Sequence, residues 1–195
     1  MITKRDQDIY NFLDRKENGG MGFHHASTSQ LNRLFFPGTS DRYCRKRLQY
    51  LYECGYLKRT RSTLGNDYAY FIEKKSLLQQ VHHDLIRTEI YAAIQSRFKI
   101  LEWHNEFSIE HIRSDAFCYI SNGGIGYPIF IEIHLNNNFN FDKYKEFAKQ
   151  DLKAIFGVLP RVIICTDRQV TITQNSGIKY RVIDFTMKGL ESLFK

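Results

Sequence analysis

The sequence predicts an α+β protein in two parts, and three observations carry that expectation. The first is composition: 195 residues, 43% hydrophobic and 14% aromatic, supply enough apolar surface for one medium or two small packed cores. The second is a change of pattern. Short helices and one hairpin fill residues 1–75, whereas a long helix, a set of β-prone runs and a further helix fill residues 76–195. The third is charge: residues 1–75 hold 14 of the 28 basic residues but 8 of the 21 acidic ones, a net of +6 out of +7. Such asymmetry raises the local potential towards a polyanion. The expected domains are therefore 1–75 and 76–195.

No run approaches the about 18 apolar residues of a membrane span. The opening MITKRDQDIYNFL has no apolar signal-peptide core, so a cytoplasmic protein with no membrane partner is expected. Cys44, Cys54, Cys118 and Cys165 show no C-x-x-C spacing, and all four are expected as small buried hydrophobes rather than metal ligands.

In the first part, residues 2–15 read as a helix, with Ile9, Phe12 and Leu13 at helical spacing and Asp6 and Asp8 towards its N-terminal end. Residues 17–22 are a Gly-rich break. Ser27-Thr28-Ser29 offers an N-cap to a short helix over 30–36, which Pro37-Gly38 ends. Thr39 and Ser40 suit the N-cap of the next helix, where Cys44, Leu48 and Leu51 form the apolar stripe and Gly55 the left-handed stop. Two β-prone runs, 56–60 and 68–72, follow around Gly65-Asn66-Asp67, a turn that calls for positive φ.

Helix, short helix, tight turn, basic helix, hairpin is the order of a winged helix-turn-helix, a fold that lays its second helix in the DNA major groove. On that reading Ser40, Arg42, Tyr43, Arg45, Lys46 and Gln49 are the DNA-binding candidates of the helix. Arg and Lys donate to guanine O6/N7, and Gln bonds adenine bidentately. Lys58, Arg59 and Arg61 on the hairpin would meet phosphates or the minor groove. Arg47 is open between that set and the buried side, to which it lies closer and where an acid such as Glu53 could pair with it. The expected partner is double-stranded DNA, bound by a homodimer, since helix-turn-helix proteins commonly occupy two half-sites.

Residues 77–97 keep a helical period with no Pro or Gly, in a helix that either bridges the two parts or begins the second, and His82-His83 beside Asp84 read as polar surface or interface residues rather than a metal site. Strands are expected at 100–107, 113–120 and 128–135, the last two joined at Asn122-Gly123-Gly124. Residues 141–156 read as one amphipathic helix, with Tyr144, Phe147, Ala148, Leu152 and Ile155 on its apolar side. The run RVIICT at 161–166 is near-continuously β-branched, as in a strand buried on both faces. Strands at 170–173 and 179–183 and a short helix from Met187 complete a unit around a central mixed sheet.

The stretches SQLNRLFF, RKRLQYLYECGYLKR, HDLIRTEIYAAI, LEWHNE, IRSDAF, FIEIH, FDKYKEF and LPRVIICT together resemble the replication-relaxation family of plasmid and phage proteins. That resemblance implies a winged helix followed by a PD-(D/E)XK nuclease-like domain. It implies possible partners among plasmid replication or transfer proteins and a role in replication, conjugation or transcription control. Carried over position by position, Asp115 and Glu132 stand at the two metal-binding acids, with Ser114 where the family has proline. His134 stands at the lysine position; Lys143 on the following helix could substitute for that lysine, and Glu102 and Glu89 could fill auxiliary acid positions. Nuclease chemistry would need Mg or Mn on Asp115 and Glu132. Histidine is mostly uncharged at neutral pH, so a silent nuclease-like domain with no cofactor, used for dimerisation or docking, is the favoured expectation. A metal-dependent endonuclease with Asp115, Glu132, His134 and Lys143 as its catalytic set is the alternative. A third reading is an interaction module in which Tyr43, Tyr50 and Tyr52 meet protein.

Overall fold

The computed structural model describes residues 1–14, 21–73, 77–110, 112–135, 142–172 and 178–193. These residues form six α-helices and two β-sheets, one of three strands and one mixed sheet of five, so the architecture is α+β. Among them no helix is long and apolar enough to cross a membrane.

Packing divides the chain into residues 1–92 and 93–195. The first unit opens with α1 (Lys4–Leu13), started by a capping box in which Thr3 and Asp6 satisfy each other's backbone N–H groups. After β1 (Ala26–Ser27), α2 (Thr28–Phe35) begins in the same way, with Ser27 and Gln30 as the reciprocal pair. Helix α3 (Asp41–Glu53) is capped by the Ser40 hydroxyl, buries Cys44, Leu48 and Leu51, and stops where Gly55 takes φ +77°. Strands β2 (Lys58–Arg61) and β3 (Tyr68–Phe71) form an antiparallel hairpin, and β1 pairs with the far side of β3. In the loop between them Gly65 is the residue with positive φ; Asn66 and Asp67 do not need it.

Helix α4 spans Leu78–Gln95, and the expected boundary at 75/76 lies outside the described residues. Most of α4 falls in the first unit, because Val81 and Leu85 pack with Ala69 and Tyr91 meets the rings of Phe12 and Phe23.

The second unit is built on β4 (Lys99–Ile109), β5 (Ile112–Asn122) and β6 (Ile125–Ile133), paired antiparallel, with β7 (Arg161–Cys165) and β8 (Lys179–Ile183) added in parallel in the order 4-5-6-7-8. Gly123 and Gly124 alone close the β5–β6 hairpin, at φ +61° and +81°, the backbone that a tight two-residue turn demands. Strand β7, hydrogen-bonded on both sides, buries Val162 to Cys165, as its β-branched run implies. Phe117, Phe130, Val162 and Ile164 pack on one face against Tyr144, Phe147 and Leu152.

Four local expectations differ from the structure. The helix expected over 141–156 is two helices, α5 (Asp142–Phe147) and α6 (Leu152–Phe156), because the Asp151 carboxylate caps Ala154 N–H and starts the chain afresh. Its Ile155 is exposed rather than part of the apolar side, and Phe141 lies outside the described residues. Residues 170–172 are not a strand, although Val170 still packs on the core; Thr173 is outside the described residues. The helix expected from Met187 shrinks to one 3₁₀ turn, Leu190–Ser192, since Met187 and Gly189 both have positive φ. Of the four thiols, Cys44, Cys118 and Cys165 are buried, but Cys54 at the end of α3 is exposed.

Candidate nucleic-acid interface and acid cluster

The buried stripe of Cys44, Leu48 and Leu51 turns the opposite side of α3 outward, leaving Arg42, Tyr43, Arg45 and Lys46 exposed. Beside them β2 exposes Lys58 and Arg61. Side chains tie helix and hairpin together. Asp67, in the hairpin loop, accepts from Arg45 at 3.0 Å with one oxygen and from the Ser29 backbone N–H at 3.2 Å with the other. Gln49 donates to Glu53 and accepts from Arg59. The Arg59 guanidinium lies over two rings, 4.2 Å from the Tyr52 centroid and 4.1 Å from that of Tyr68, while Arg61 covers Tyr68 at 5.1 Å.

The nine sequence candidates in this unit therefore split. Arg42, Tyr43, Lys46, Lys58 and Arg61 present exposed side chains. Ser40 spends its hydroxyl on the helix cap, accepting from Tyr43 N–H at 3.3 Å. Arg45, Gln49 and Arg59 have partners inside the unit.

Arg47 pairs with Asp6 of α1 rather than with Glu53, and also donates to the Met1 carbonyl at 2.9 Å. Burial opposes the charge on Asp6, but hydrogen bonds from Arg47 and Thr3 outweigh it and hold the carboxyl down at about 2. Tyr50 is covered by the Arg47 guanidinium at 4.8 Å, whereas Tyr43 and Tyr52 are exposed.

In the second unit the four remaining candidates gather. Asp115 on β5 and Glu132 on β6 lie one register step beyond the Ala116–Ile131 pair. Asp115 Oδ2 accepts from the Ile133 backbone N–H at 2.7 Å. Glu132, only 4% exposed, accepts from the Tyr144 hydroxyl at 2.6 Å and is ion-paired to Lys143 Nζ at 2.6 Å; His134 Nε2 lies 3.9 Å from its other oxygen. Lys143 also donates to the Arg113 carbonyl at 2.9 Å. Burial pushes the Glu132 carboxyl above its ordinary range, Lys143 and the Tyr144 hydrogen bond work against that, and the Asp115 charge adds to it. Tyr144 is raised in turn, by its own burial and by the Glu132 charge.

Two carboxylates are present, but the Lys143 ammonium already supplies positive charge at Glu132. Among the described residues no group of three His, Cys, Asp or Glu side chains is placed to hold a metal ion. Of the auxiliary acids, Glu102 is beside His104 on β4, and Glu89 accepts from Gln30 and Arg33 in the first unit.

Periodicity did not reveal a buried ionic group in the first unit. His25 Nδ1 lies 2.8 Å from Asp84 Oδ2, and Arg87 donates to Asp84 Oδ1 at 2.7 Å, all nearly inaccessible. His82 and His83 are half-buried, His82 meeting Thr63 at 2.8 Å, and the histidine that serves Asp84 is His25, beside β1. The one sequence signal was Arg87 three residues after Asp84, in reach on a helix. Neither a family model nor a curated protein matches this chain, so the two clusters themselves carry any functional reading.

Proposed function

We propose that this protein binds double-stranded DNA through α3 and the β2–β3 hairpin, used as the recognition helix and wing of a winged helix-turn-helix. The observation that carries the reading is a set of four exposed cations, Arg42, Lys46, Lys58 and Arg61, on two elements that side-chain contacts hold together. An α-helix fits the roughly 12 Å major groove, and its exposed Arg and Lys reach base edges and phosphates there. The second unit serves as a nuclease-like fold without hydrolytic activity, available for dimerisation or docking. The resemblance to replication-relaxation proteins supports a role beside plasmid or mobile-element replication or transfer.

Four phosphate contacts give a salt slope of about −3.6, so affinity for a duplex falls roughly 100-fold between 50 and 200 mM salt. Fluorescence anisotropy with random and plasmid-derived duplexes measures this, and Lys46→Ala lowers the slope by about 0.9. A duplex affinity indifferent to salt, or none at all, refutes the proposal.

One observation favours a second reading, a metal-dependent endonuclease. Lys143 reaches Glu132 at 2.6 Å, as a lysine moved onto the neighbouring helix would. Supercoiled DNA incubated with Mg²⁺ or Mn²⁺ decides it: nicking that Asp115→Ala abolishes supports the enzyme, and intact plasmid ends it.

A further inference from the structure

Arg59 stands among the wing's cations, yet its surroundings are unlike those of its neighbours. Along β2, Arg59 and Arg61 share a face with Tyr68 and Tyr70 of β3, through the pairs Arg59–Tyr70 and Arg61–Tyr68. Arg59 lies over the rings of both Tyr68 of the hairpin and Tyr52 of α3, at 4.1 and 4.2 Å. It donates to Gln49, one turn before Tyr52 on α3, and its hydrogen bond and charge oppose the burial that raises the Tyr70 pKa. Gln49 in turn is held by its donation to Glu53. The guanidinium thus lies against two aromatic rings while one of its N–H groups donates to an amide oxygen.

Arg61 differs. It lies over a single ring, that of Tyr68 at 5.1 Å, and is exposed. A guanidinium with one face on a ring keeps its N–H edge for a phosphate, which two planar oxygens can grip. Lysine would replace Arg61 there as a point charge, but it cannot replace Arg59, because an ammonium has no planar fork to meet two rings and Gln49 together.

We propose that Arg59 is a positioning residue that fixes the hairpin against α3, so that Arg61 reaches the DNA backbone, and that Arg59 itself contacts no phosphate. Gln49 belongs to the same device and does not read adenine. This inference rests on the DNA-binding reading above.

The test is a substitution that keeps the charge. Arg59→Lys weakens duplex binding about tenfold and makes the salt slope shallower by about 0.9, although no charge has been removed, because Arg61 leaves its phosphate. Adding Arg61→Gln to Arg59→Lys then costs little more, whereas adding Lys46→Gln costs as much as it does alone. Tyr52→Leu, which removes one ring and no charge, repeats the pattern. Wild-type affinity and slope in Arg59→Lys overturn the inference, since charge alone would then suffice. So does a loss of affinity with the slope intact, which is the mark of general destabilisation. Should the wild type bind no duplex, the functional reading falls, and the clamp is judged by amide exchange without DNA. Faster exchange at β2 and β3 in Arg59→Lys upholds it, and unchanged exchange rejects it.

Discussion

Replacing Lys143 by methionine tests the acid cluster without any assumption about activity. The Lys143–Glu132 contact is 2.6 Å long, and Lys143 keeps a quarter of its side chain in water while Glu132 keeps a twentieth. At an effective dielectric constant of about 20, two charges at that separation attract by about 6 kcal/mol, most of which offsets their loss of hydration. Removing one partner strands the other, at about 3 kcal/mol, the low end of the range because Lys143 is partly hydrated. The penalty depends on pH. Glu132 already titrates above the ordinary range, chiefly through burial. An acid raised in the folded state adds stability that is present below its unfolded value and lost as pH rises through its folded one. Lys143→Met raises the folded value further, so the variant suffers little at about pH 4.5, where a protonated Glu132 needs no counterion. By about pH 8 it suffers the full 3 kcal/mol. Urea unfolding followed by fluorescence of Trp103, the one tryptophan, which stands on β4 of the same sheet, reports on this unit. An equal penalty at both pH values, or none at pH 8, would mean that Glu132 does not depend on Lys143 for its charge.

Two further outcomes follow from the ionic groups of the first unit. Arg47→Met removes the principal donors to Asp6 and costs about 1–2 kcal/mol at neutral pH. The Asp6 pKa is depressed, so its stabilisation is present above the unfolded value and lost as pH falls towards about 2; the difference between variant and wild type, read by circular dichroism, shrinks over that interval. Arg87→Met leaves the buried Asp84 without its guanidinium and costs about 3–5 kcal/mol, of which Asp84→Asn in the same chain restores a large part; additive losses would contradict the pairing.

What could be read from the sequence was what neighbouring residues decide among themselves. Ser27 and Ser40 as caps, Gly55 as a stop, Gly123-Gly124 as a turn and the run at 161–166 as an interior strand each depend on backbone rules acting over a few positions. Partnerships across long sequence separations were not legible. Arg47 finds an acid 41 residues away, and His25 meets Asp84 across 59, distances at which spacing carries no information. The same limit applies to the candidate interface. Charge picked out Arg42, Lys46, Lys58, Arg59 and Arg61 alike, but only the fold shows that Arg59 lies over the rings of Tyr52 and Tyr68. In the second unit the acid pair came from a resemblance, and the break within residues 141–156 was hidden because Asp151 reads equally well within a helix and as the cap of a new one.

The uneven exposure of the four thiols has a practical side. Burial drives Cys44 up to about 12 and lifts Cys118 and Cys165 as well, so near neutral pH these three hold almost no thiolate. A maleimide dye added to the native chain would attach at Cys54, the last residue before the chain turns from α3 towards the hairpin. Nature has thus left a single attachment point for a fluorophore beside the surface where docking of a nucleic acid would be watched, with no engineering of the sequence required.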